Sequence, residues 1–98
     1  MIIVTANYRT KPGKRDQVLA LGAPCVAATR KEVGNLGYTL YASAEDPDGI
    51  LCFERWESPE KLQAHGQQPH YKAFGEARKD LILPESFELH IYAAEQKK

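Results

Sequence analysis

The chain has 98 residues, 43% apolar and 27% charged, which fits one compact domain with a core over about residues 2–93 and excludes two. Thirteen Lys and Arg balance thirteen Asp and Glu, so no long-range field would draw in nucleic acid or an anionic membrane surface. The longest apolar-leaning stretch, residues 18–28, is interrupted by Gly22 and Pro24 and falls short of the ~20 clean apolar residues that a bilayer-spanning helix needs.

The first segment, MIIVTANYR, opens apolar without a basic leader or a small-residue cleavage site. It reads as a strand over residues 2–8 and not as a secretory signal, and a cytoplasmic location is expected. Along it Ile2, Val4, Ala6 and Tyr8 fall on one face, and Ile3, Thr5, Asn7 and Arg9 on the other. Lys11-Pro12-Gly13 ends the strand. Val18, Leu21, Cys25 and Ala28 then recur at helical spacing and predict a helix over residues 14–33, kinked or loosened at Pro24. Gly34-Asn35 stops that helix. A second strand over 36–41, a turn over 45–49 and a third strand over 50–57 make a hairpin.

Ser58-Pro59-Glu60 is a helix start with a physical basis: a capping hydroxyl, a proline at the first helical position and an acid near the positive end. That helix runs to about Gly66. Another begins at Pro69 with the stripe Tyr71, Phe74, Ala77 and Leu81 and closes before Pro84, and residues 87–93 form the last strand. Cys25 and Cys52 share no C-x-x-C spacing and each lies in an apolar run, so both are expected as buried free thiols.

The order strand, helix, strand, strand, broken helix, strand is the split β-α-β repeat of a ferredoxin-like α+β fold with an antiparallel sheet. Apolar and aromatic residues alternate onto both strand faces, with Ile2, Val4 and Tyr8 against Ile3, and Tyr38 and Leu40 against Tyr41. A chain of this size buries only ~60–70% of its unfolded surface. A homodimer pairing sheet against sheet is therefore expected.

Five segments in this order and spacing, Lys11-Pro12-Gly13-Lys14, Gly34-Asn35-Leu36, Phe53-Glu54-Arg55-Trp56-Glu57-Ser58, Ala64-His65 and Pro69-His70-Tyr71-Lys72-Ala73-Phe74, resemble the antibiotic biosynthesis monooxygenase (ABM) domain family over nearly the whole chain. The resemblance implies a dimeric α+β barrel of quinol monooxygenase-like type. Members of that family include cofactor-independent oxygenases of quinols or anthrones, haem-degrading oxygenases and an isomerase of a phosphorylated quorum-sensing signal, so membership does not define a reaction.

Two residues are candidates for catalysis. Asn7 is an amide in an apolar strand, which must find partners or a ligand if the helices cover its face. Haem-degrading members of the family carry an Asn at the matching position of their pocket. His65 lies three residues past Leu62 on the short helix, close to its apolar side. The signal isomerase resembles this chain there, whereas other branches have Trp.

Tyr71, Trp56 and His70 are expected to bind substrate. Tyr71 matches the pocket tyrosine of the anthrone oxygenases. Trp56 shares a strand face with Glu54 and needs an acceptor for its indole N–H. His70 stands beside Pro69, where capping or packing competes with a binding role. His65, His70 and His90 are not expected to form a metal set, because no acidic ligand accompanies them at fixed spacing. No phosphate loop, dinucleotide fingerprint or flavin motif occurs, and the iron-ligating His of the haem-degrading branch falls on Gly75. No cofactor is expected.

Oxygenation without a cofactor requires a substrate that supplies the electrons, as an electron-rich phenolate does. The first expectation is accordingly a monooxygenase acting on a small aromatic quinol or anthrone with O2, with His65 as base, Asn7 as donor, and Tyr71 and Trp56 as aromatic walls. The alternatives are an isomerase or tautomerase of a small hydroxy-ketone, and a dimeric ligand-binding protein without turnover. If His65 and Asn7 act together in catalysis, both are expected to border one cleft between sheet and helices, with Tyr71 or Trp56 on its wall.

Overall fold

A computed structural model describes residues 1–98. In chain order the elements are β1 (Ile2–Arg9), α1 (Arg15–Thr29), β2 (Asn35–Ala42), β3 (Gly49–Trp56), α2 (Pro59–His65), α3 (Pro69–Arg78), a 3₁₀ turn (Pro84–Ser86) and β4 (Glu88–Ala93). The strands form one antiparallel sheet in the order β2-β3-β1-β4, with β1 and β3 central. This is the ferredoxin-like α+β arrangement that the element order predicts. No helix is long and apolar enough to cross a membrane.

The period-2 pattern decides which sheet face meets the helices. Val4 and Tyr8 of β1, Tyr38 of β2 and Ile50, Cys52 and Trp56 of β3 are buried beneath the helical layer. Tyr8, Tyr38, Ile50 and Cys52 join Val18 and Cys25 of α1, Phe74 of α3 and Ile82 in a single core cluster. Both cysteines are free and buried. At the far end Arg78 lies over the rings of Phe74 (4.4 Å), Tyr8 (5.0 Å) and Phe87 (5.5 Å) and donates to the Tyr8 hydroxyl at 2.9 Å. This closes the core with a cation against aromatic faces.

Two local expectations are corrected, both at helix ends. The first helix runs on through Pro24, which sits on its exposed side. It also ends at Thr29 and not near residue 33. There the Lys31 N–H bonds to the Ala28 carbonyl and the Glu32 N–H to the Thr29 carbonyl, and these tight turns lift Glu32 off the helix. Gly34 then takes φ +90°, with the stem of Lys61 where a side chain would be, so a glycine is required at this turn. The third helix ends at Arg78 and leaves Leu81 outside it. The Leu81 carbonyl instead accepts the Lys11 N–H at 2.8 Å, beside a bridge between Thr10 and Ile82.

Every residue of β4 is exposed. Leu89 and Ile91 point to the helical side of the sheet but lie beyond the reach of the helices, at 59% and 58% exposure.

Candidate active site

Ser58 accepts the Lys61 N–H and Pro59 occupies the first turn of α2, so the short helix starts where the sequence places it and ends at His65. His65 is only 3% exposed. Its ring packs against Trp56 (4.9 Å between centroids), Tyr38 (5.7 Å) and edge-on Tyr71 (5.1 Å). The inward placement of His65 follows from its position after Leu62; the identity of its partner does not.

That partner is Glu32. His65 Nδ1 lies 2.6 Å from Glu32 Oε2, and His70 Nε2 lies 2.7 Å from the same oxygen. The Glu32 side chain is 11% exposed and that of His70 is 18% exposed. An ionised carboxylate only accepts, so both imidazoles are assigned as donors. His65 Nε2 is buried without a hydrogen-bond partner. In the neutral ring with the proton on Nδ1, that nitrogen carries a free lone pair aimed among aromatic rings.

The donor atoms of Glu32, His65 and His70 all lie within 4.8 Å of one another, so the acid missing from the local spacing is supplied from the other half of the chain. Two ligands held cis on an ion at ~2.1 Å stand ~3.0 Å apart. The two N–O separations here are shorter than that and correspond to direct hydrogen bonds.

Beside this cluster, Glu54 is buried on β3 and accepts the Trp56 indole N–H at 3.0 Å, which satisfies the acceptor requirement of that indole. The Cys52 thiol approaches the other carboxylate oxygen at 3.6 Å. Burial, reinforced by the neighbouring Glu54, pushes Cys52 up to about 12. Burial likewise raises the Tyr38 phenol, with Cys52 and Cys25 adding to the effect. Glu32 gives no signal in sequence, since it becomes part of the site only through the turn after α1. Glu54 is legible in retrospect as an acid on the inward-facing row Ile50, Cys52, Glu54, Trp56.

Asn7 is not brought to His65. It is exposed on the sheet face opposite the helices, pairing with Leu51 and Glu88, whereas Trp56, which touches His65, pairs with Ile2. Five residues of extended strand separate the two levels by ~17 Å. Odd-numbered positions of β1 carry Asn7 away from the helical layer, so the expected shared cleft does not form. Two shallow depressions border Asn7, and neither includes His65. Tyr71 flanks His65 but is 46% exposed and does not join the core stripe.

A cleft of about 680 Å³ opens next to the cluster, lined by Pro24, Ala27 and Ala28 on one wall, with Lys31, Lys61 and Gln68 near Glu32 and His70. His70 also borders a smaller hollow of about 260 Å³ that includes Cys25, Phe74 and Ala77.

An antiparallel sheet with helices on one face and a carboxylate–imidazole pair at one end of the helical layer defines a small α+β protein with the means for acid–base chemistry. The antibiotic biosynthesis monooxygenase profile matches residues 1–77, and the chain belongs to this family. It is 39% identical to the probable quinol monooxygenase YgiN of Escherichia coli K12, over 85% of this chain and 89% of that one. It is 32% identical to the uncharacterised protein sll1783 of Synechocystis, over 93% of this chain, and spans 61% of that protein's length. The solved structure of Rv0793 from Mycobacterium tuberculosis superposes with a TM-score of 0.86 at 27% identity, covering 98% of this chain and 96% of that one.

Proposed function

We propose that the protein is a cofactor-independent monooxygenase that oxidises a small electron-rich aromatic, a quinol or anthrone-type phenol, with O2. The observation that carries this reading is the buried His65 ring, bonded through Nδ1 to Glu32 and free at Nε2. A phenol loses its proton near pH 10 and a free imidazole near 6.5, a gap of ~3.5 units at ~1.4 kcal/mol each. A dry aromatic surround by itself works against the phenolate, as burial does for the Tyr38 phenol; the Glu32 carboxylate on Nδ1 offsets this by stabilising the imidazolium that forms when Nε2 takes the proton. The phenolate then supplies all four electrons that reduce O2: one oxygen atom is added at a ring carbon, the other leaves as water with two hydrogens of the substrate, and the organic product is a quinone.

Tyr71 is the movable wall of this site. It is half exposed and meets His65 edge-on, so a rotation of its side chain opens Nε2 to a substrate approaching from the surface. Trp56 is the fixed wall, and His70 orients the substrate at the cleft. The protein works as a homodimer in the cytoplasm, the second copy covering the apolar residues of β4 and the open sheet face.

One observation favours a second reading. Lys31 and Lys61 line the cleft and neither is engaged in an ion pair, so they would hold the charge of an acidic hydroxy-ketone while His65 moves a proton between carbons. Oxygen-electrode assays with a panel of quinols and anthrones test the first reading, with His65→Ala expected to lower turnover ~10²–10⁴-fold. Deuterium uptake into a hydroxy-ketone without O2 consumption would replace it with the second. Ligand binding with neither reaction would mark a protein without turnover.

A further inference from the structure

We infer that Glu32 and His70 are positioning residues that fix the tautomer of His65, Glu32 by accepting its Nδ1 proton and His70 by holding Glu32 in place. This rests on His65 being the base proposed above.

A neutral imidazole carries one ring proton, and only the nitrogen without it can take another. Free imidazole side chains favour the proton on Nε2, which would leave the buried end of His65 unable to accept anything. The contact of Nδ1 with Glu32 Oε2 at 2.6 Å reverses that preference and puts the lone pair on Nε2, the atom with no other partner.

Glu32 has no helix to hold it. It sits in the tight turns between α1 and β2, and its carboxylate could rotate into the neighbouring cleft. His70 prevents this by donating Nε2–H to the same oxygen at 2.7 Å. Both donors aim at one acceptor atom, so a proton cannot pass through Oε2 from one ring to the other while both N–H groups point inward. The arrangement is an anchor and not a relay. His70 itself is fixed because Pro69 starts α3 immediately before it.

The test combines ring-nitrogen NMR with turnover. In the wild-type protein His65 should hold its proton on Nδ1. Glu32→Leu, which keeps the bulk without an acceptor, should shift His65 toward the Nε2–H form and lower kcat ~10²–10⁴-fold with little change in KM, as loss of a tautomer-setting carboxylate does in hydrolase triads. His70→Gln keeps a donor and should preserve the Nδ1–H form of His65, whereas His70→Phe keeps the ring bulk without a donor and should lose it. A packing role for His70 predicts the reverse order for these two variants and would overturn the inference, as would His65 holding its proton on Nε2 in the wild type. The NMR readout needs no turnover. If no quinol is oxidised, or if His65→Ala stays active, the catalytic reading fails while the tautomer assignment is still judged on its own.

Discussion

Glu54 accepts the indole N–H of Trp56 at 3.0 Å inside the helical layer, although the two residues are only two apart on β3. Trp56→Phe removes the donor and leaves a buried carboxylate with only the weak Cys52 thiol, at a cost of ~1–3 kcal/mol beyond lost packing. Replacing Glu54 by Leu in the Trp56→Phe background should recover part of that loss, because both polar ends then disappear together. Urea unfolding of the single and double variants measures the coupling. Strict additivity would show that the pair is not energetically linked.

The thiol of Cys52 should resist alkylation in the native protein at neutral pH, because burial and the neighbouring Glu54 keep it protonated. Its pKa is raised to about 12 from an ordinary thiol value near 9. Between those values the folded state binds the extra proton, so stability is retained below about pH 9 and declines as pH rises toward 12. Burial raises Tyr38 in the same direction. Cys52→Ala should flatten part of this alkaline decline, measured by denaturation midpoints at a series of pH values. An unchanged slope would remove Cys52 as a contributor.

Gly22 is buried where α1 crosses Leu40 and Phe74, and a Cβ there would meet Leu40 Cδ1 at 2.6 Å and Phe74 Cζ at 2.9 Å. Helix propensity alone would favour Ala by ~1 kcal/mol. The clash should outweigh it, because the Phe74 ring is packed in the core and overpacking costs ~1–3 kcal/mol. A lower melting temperature for Gly22→Ala is the expected outcome. A higher one would mean that Leu40 and Phe74 yield freely.

The exposed apolar side chains of β4 should lie in a homodimer interface. Ile91→Lys, a change at a surface position in the isolated chain, should leave the circular dichroism of the fold intact while raising the dimer dissociation constant at least ~10-fold, equivalent to ~1.4 kcal/mol. Sedimentation across a concentration series reads this out. A wild-type protein that stays monomeric at high concentration would leave Leu89 and Ile91 without the proposed partner.

Much of the fold was legible because it rests on local rules. The Ser58-Pro59 start, the Gly34 turn and the two-residue alternation of β1 and β3 each act over a few residues. The departures arise where distant contacts overrule local pattern. Leu81 continues the stripe of α3 but is drawn out to bond with Lys11, and the first helix stops early where the chain turns Glu32 toward two histidines. His65 was recognisable from its place after Leu62. Glu32 was not, since 33 residues separate the pair and they meet only where the turn after α1 comes against the end of α2. Asn7 lies on the sheet face away from the helices, contrary to the cleft it is expected to share with His65. Alternation assigned it to one of two faces, and the choice of which face the helices cover belongs to the packing of the whole layer.

The core cluster contains Tyr8, Val18, Cys25, Tyr38, Ile50, Cys52, Phe74 and Ile82, and leaves out Glu32, His65 and His70. Along β3 the inward row passes from Ile50 through Cys52 to Glu54 and Trp56, so hydrocarbon gives way to proton-bearing groups within a single strand. The polar groups thus gather at one end of the sheet and meet the core through Tyr38, which packs against His65, and Cys52, whose thiol approaches Glu54. Because that end is itself nearly closed to solvent, an exchange there alters reactivity and stability together, since the group removed leaves its partner buried and unpaired.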